Sequence, residues 1–206
     1  MNAILQLVLA TFMQPREIAA GMIAERFDRT LLWSGAALVI VLVGMVQFAV
    51  QNLTPVPETT PETEALAAMI SKIFATPFLT TLIVGCGLIM SVFAIFLGGR
   101  MIGGTGDFFG TLAAMSWLQM VNAVTGCLVV VILAISPQLF EVASILSMVF
   151  NVMVFYATLH FIDVLHGFNS LWAAFGTMVI SFIGLAIGLA LILVLIGGAA
   201  AQTGAI

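Results

Sequence analysis

Charge is the scarcest property of this sequence. Its 206 residues include five Lys or Arg and nine Asp or Glu, so 7% are charged. A water-facing surface draws on about 25% charged residues, and this pool cannot build a soluble globular domain. Basic residues are rarer still: Arg16, Arg26, Arg29, Arg100 and Lys72 are the whole set. They are too few and too scattered to follow a phosphate backbone, which excludes nucleic acid as a partner. Cysteine occurs only as Cys86 and Cys127, with no Cys-x-x-Cys pair and no Cys/His cluster. That excludes a disulfide framework and a thiolate zinc site, and both thiols read as small packing groups. Gly-x-Ser-x-Gly, His-Glu-x-x-His and a nucleotide loop ending in Gly-Lys-Ser/Thr are all missing. Residues 1–14 also lack the basic n-region of a cleaved secretory signal.

What the chain has in abundance is apolar length. Hydrophobic residues make up 63% of it, and its mean hydropathy is +1.27. Five runs, near 30–50, 77–98, 109–135, 139–162 and 171–197, carry almost no ionisable group before their ends. About 20 apolar residues in a helix cross a hydrocarbon core of roughly 30 Å. The fold class is therefore all-α: a polytopic membrane bundle of five transmembrane helices with an N-terminal interfacial amphipathic segment. Two parts follow, interfacial helices in 1–29 and the membrane domain in 30–206.

Pro15 splits the N-terminal part. Ile4, Leu5, Val8, Leu9, Phe12 and Met13 precede it; Ile18, Met22 and Ile23 follow on one side of a second helix, with Glu25 and Arg29 paired four apart. Both helices are expected either to lie at the membrane interface with a limited apolar face dipped into lipid or, equally, to pack on the cytoplasmic end of the bundle. Arg16, Arg26 and Arg29 place this end in the cytoplasm by the positive-inside tendency. Five spans then put Arg100 on the same side and the acidic, proline-rich loop 51–76 on the other. The expected topology is N-terminus in, C-terminus out.

Between helices in lipid, small residues and polar pairing do what the hydrophobic effect does in water. Gly87, Ser91, Ala94 and Gly98 form one helical stripe in the second span; Thr177, Ser181, Gly184 and Gly188 form another in the fifth. Both are expected to be packing faces. Ser116, Gln119, Asn122 and Thr125 on the third span, with Ser144, Ser147, Asn151 and Thr158 on the fourth, supply the polar content. Carboxamides are costly in lipid, so Gln119, Asn122 and Asn151 should form a polar interior bonded between helices. Trp33, Trp117 and Trp172 read as anchors near span ends or in packing.

The densest ionisable cluster is His160, Asp163 and His166, at the inner end of the fourth span. Spacing of three and three spreads them over about 120° of helix, which favours an interfacial cluster with Gly167 as the helix stop over a metal site. No metal, cofactor or catalytic residue is assigned. The run Gly98-Gly99-Arg100-Met101-Ile102-Gly103-Gly104-Thr105-Gly106-Asp107 ends in Gly-Asp-Phe, so it reads as a tight turn between two spans.

These pieces resemble the Ypt-interacting protein (YIP) family, and its bacterial branch most. The likeness is carried by Thr11-Phe12-Met13-Gln14-Pro15-Arg16, by Gly103-Gly104-Thr105-Gly106-Asp107-Phe108, by Ala113-Ala114-Met115-Ser116-Trp117-Leu118-Gln119 and by Leu165-His166-Gly167-Phe168. The resemblance implies a five-span protein, of the inner membrane if bacterial, that acts through partners and not by catalysis. Eukaryotic relatives are similar to vesicle-trafficking adaptors that contact Rab-type GTPases. Here a long polar N-terminal region and an Asp-Leu-x-Gly-Pro motif are missing, which counts against GTPase contact. The function expected is a non-enzymatic membrane scaffold or accessory protein, its partners being the lipid bilayer and other membrane proteins or a homo-oligomer. The alternatives are a small-solute or ion transporter or channel using the third and fourth helices and, more weakly, a metal-dependent membrane enzyme at His160, Asp163 and His166.

Overall fold

The computed structural model describes residues 2–25, 27–54 and 76–202. Two short helices, α1 (Asn2–Met13) and α2 (Pro15–Ala24), precede α3 (Arg29–Leu53). Then come α4 (Pro77–Met101), α5 (Phe108–Ile135), a 3₁₀ turn at Pro137–Leu139, α6 (Phe140–His166) and α7 (Leu171–Gln202). Helices α3 to α7 are each long and apolar enough to cross a membrane. The greater part of the expected 51–76 loop, with its acidic and amphipathic stretches, lies outside the described residues.

The ends of these helices follow from local chemistry. Asp28 caps α3 by accepting the Thr30 N–H at 2.9 Å, and Asp107 caps α5 by accepting from Phe109 and Gly110. Thr76 caps α4, whose first residue is Pro77, a position that needs no N–H donor. Helix α6 stops at Gly167, which is left-handed at φ 68°. Phe168 N–H donates to the Asp163 carbonyl and Gly167 N–H to that of Val164, the paired closure of a Schellman motif.

Helix α5 is the centre of the bundle, packed on α3, α4 and α6, while α7 packs on α4 and α6. Small residues set the approach distances. Ala36 sits among Leu88, Val92 and Leu112, and Ala174 between Ile95 and Ile162. A Cβ on Gly44 of α3 would fall 2.7 Å from the Thr81 Cα of α4, so these two backbones nearly touch. Large apolar side chains such as Ile145, Met148 and Phe182 stand exposed on the outside, the surface a bilayer would cover.

The two N-terminal helices differ from each other. Helix α2 crosses α5 and α6, burying Ala19 against Ala114, Leu118, Ala157 and Phe161, so it is packed on the bundle end. Helix α1 is mostly apolar: Ile4, Leu5, Leu7 and Leu9 are exposed beside Gln6, while Val8 packs on Val121 and Val154. Val121 lies 13 residues into α5, about 20 Å along its axis, so α1 reaches mid-bundle depth. The Trp117 indole N–H donates to the Thr11 hydroxyl at 3.0 Å and ties α1 to α5. Glu25 and Arg29 do not share a helix as expected, because the chain breaks between Ala24 and Arg29. Both line one cavity beside Asp107 and Phe109 instead, with Arg29 stacked over the Phe109 ring at 4.7 Å.

Candidate functional site

Two places concentrate the polar side chains. The first is the junction where α2, the α4–α5 turn and the α6–α7 turn meet. His166, 1% exposed, inserts its imidazole into a cradle made by Gly99, Gly104 and Gly106. A Cβ at Gly106 would lie 2.7 Å from both Cε1 and Nδ1 of the ring, and one at Gly104 would lie 2.6 Å from Nδ1. The glycines are therefore a matter of space. Phe168 stacks on the far side of the ring, with centroids 5.3 Å apart. Thr105 closes the cradle by donating its backbone N–H to the His166 carbonyl at 3.0 Å.

Asp163, 3% exposed, points elsewhere. Its carboxylate accepts the Ser170 N–H at 2.8 Å and lies 4.0 Å from the Arg16 guanidinium, which donates to the Asn169 side chain at 2.9 Å. Arg16 is 58% exposed, so this pair is loose and contributes little through charge alone. What it does is pin α2 to the α6–α7 turn. His160 packs edge-on against Tyr156, with ring centroids 4.6 Å apart. His160, Asp163 and His166 thus face three different surroundings, and no group able to hold a metal occurs among the described residues. Their three-and-three spacing fans them round the helix, and the glycine cradle takes His166 out of reach of the other two.

The second place is an intramembrane cavity of about 570 Å³ in the half of the bundle away from the arginines. Gln119 and Asn122 on α5, Ser147 and Asn151 on α6, Ser91 on α4 and Gln47 on α3 all face it. The carboxamides were expected to bond between helices, and they do not. Asn122 donates to Gln119 at 3.1 Å on its own helix, and Asn151 donates to the Ser147 carbonyl at 2.7 Å on its own. Each of these bonds closes on its own helix, and neither crosses the cavity. Gln47 escaped the sequence reading, although a lone carboxamide in Val43-Gly44-Met45-Val46-Gln47 was its signal.

The small-residue stripes divide along their length. Ala94 and Gly98 meet Thr177 and Ser181, where the Ser181 hydroxyl lies 2.8 Å from the Ala94 carbonyl and 2.7 Å from that of Thr177. Gly87 and Ser91 instead turn to the polar cavity, and a Cβ on Gly184 or Gly188 would meet nothing within 4 Å. Helices α4 and α7 therefore touch at the arginine-bearing end and diverge away from it. Between them lies a second, apolar groove of about 590 Å³, lined by Met90, Phe93, Leu97, Ile180 and Ile183 among others.

Five apolar spans, an apolar exterior and caps at both ends define an all-α, multi-pass integral membrane protein. Residues 9–198 match the Yip1 domain, and the chain belongs to that family. No curated protein and no solved structure shows a significant match to it.

Proposed function

We propose that this chain is a non-enzymatic membrane scaffold or accessory protein that engages a partner helix inside the bilayer, either from another membrane protein or from a second copy. The observation that carries this reading is the open α4–α7 groove. Its floor is small, with Gly98, Ser181 and Gly184, and its walls are large and apolar. Small floors let another helix come close enough for dispersion to hold it, which is how association works in lipid. Arg16, Arg29 and Arg100 share one end of the bundle, which supports a cytoplasmic N-terminus and, in a bacterium, the inner membrane. A photo-crosslinker at Ile183, used in intact membranes, should give one discrete adduct of fixed mass. A smear of unrelated proteins, or adducts with lipid alone, would sink the reading.

A second reading, passage of a small solute or ion along α5 and α6, draws on the polar cavity. Beneath it the bundle is closed by buried Leu112, Leu118, Phe161 and Ile162, so passage requires that plug to open.

A further inference from the structure

We propose that the intramembrane cavity binds an uncharged, hydroxyl-rich group, a polyol or sugar, presented either free or as the headgroup of a membrane lipid. The lining decides the chemistry. No Asp, Glu, Lys, Arg or His lines the cavity among the described residues, so a phosphate or metal ion entering it would lose its hydration uncompensated. The carboxamides do offer open valences of both kinds. After its bond from Asn122, Gln119 keeps its amide N–H₂ as donor, while Asn122 and Asn151 keep their carbonyl oxygens as acceptors. Gln47 adds one of each, with no protein partner among the described residues. A hydroxyl donates and accepts at one atom and can satisfy such a mixed set. A purely accepting or purely cationic ligand cannot.

Shape and depth agree with this chemistry. About 570 Å³ falls in the range of roughly 300–1,000 Å³ typical of ligand sites. Val46, Val50, Val84 and Val129 interleave apolar wall with the amides, matching the C–H faces of a sugar ring. The cavity extends from Val50, near the far end of α3, down to Gln119, which lies 16 residues or about 24 Å below the end of α5. A headgroup drawn down from that leaflet would sit among the amides with its chains in lipid.

The test is a native mass-spectrometry titration of the full chain in a phosphocholine detergent, since maltoside detergents carry the headgroup chemistry in question. The probes are monoglucosyl-diacylglycerol, diacylglycerol without sugar and methyl glucoside. A saturable one-to-one adduct is expected with the glucosyl lipid and not with diacylglycerol. Gln119→Leu combined with Asn122→Leu should weaken it about tenfold, as loss of two hydrogen-bonding side chains implies. Competition by methyl glucoside would show that the headgroup suffices, and its failure would show a lipid-borne ligand; both uphold the proposal. Equal binding of diacylglycerol, or no saturable adduct with the glucosyl lipid or the methyl glucoside, overturns it. If the double variant does not fold, Gln47→Leu decides, because that side chain makes no protein bond to lose; unchanged affinity there counts against the site. Binding without flux in liposomes leaves this inference standing and removes the passage reading alone.

Discussion

His166 illustrates how much one buried ring can demand of its neighbours. Three glycines from the end of α4 and the turn after it, some 60 residues earlier, give up their side chains to make room for it. Replacing Gly106 with Ala should destabilise the protein by about 1–3 kcal/mol, the usual cost of overpacking. In a double-mutant cycle with His166→Ala the two losses should be strongly non-additive. Denaturation in mixed micelles measures this, and strict additivity would show that the ring is not what the glycine accommodates. Asp28 offers a second residue-scale test. Its carboxyl is held below the ordinary carboxylate range, first by the Thr30 N–H and then by the Thr30 side chain. A lowered native value means stabilisation that is complete above the unfolded value, near pH 4, and that fades as pH falls through the native one. Asp28→Asn keeps a capping oxygen but cannot titrate, so it should flatten this acid-side fall in melting temperature. An identical pH profile for both proteins would contradict the assignment.

At the scale of elements, the spans were legible because lipid imposes a length and forbids charge within it. The expected runs and the observed helices agree to within four residues at their starts and ends wherever caps or prolines mark them. Pro15, Pro77 and Gly167 each act as their chemistry predicts. Facing was much less legible. The amides of α5 and α6 follow a clear spacing, yet that spacing cannot reveal that they bond within their own helices and leave the cavity between them unbridged. Nor could the Gly184/Gly188 pair announce that its side of α7 lies open. The cradle was invisible for a related reason: its two halves are separate local patterns, each explicable as a turn. Helix α1 lies deeper than an interfacial helix would, because Ile4 and four leucine and valine side chains surround it and only Gln6 is polar among its exposed residues from Ala3 to Leu9. Trp117 holds it in place through Thr11. Thr11→Val should therefore loosen α1 and raise the exposure of Trp117, seen as a red shift in its fluorescence in a Trp33→Phe, Trp172→Phe background. An unmoved spectrum would mean that packing by Val8 and Phe12 is sufficient.

On the scale of the whole molecule, α2 and the two turns are tied together at the arginine-bearing end, while open volumes lie along the flanks of the spans. The tight end joins α2, both turns and the starts of α3 and α5 through capping carboxylates, the His166 cradle and the Arg16 contacts. Two open volumes of similar size and opposite character flank the spans, one lined by amides in the half away from the arginines and one by hydrocarbon along α4 and α7 as far as Met101.

The Thr105–His166 closure carries a consequence for biogenesis. A ribosome delivers the turn between the second and third spans long before it delivers the ring that fills it, so early in synthesis the turn has nothing to fold around. The nascent protein must wait for its fourth span before its arginine-bearing rim can lock.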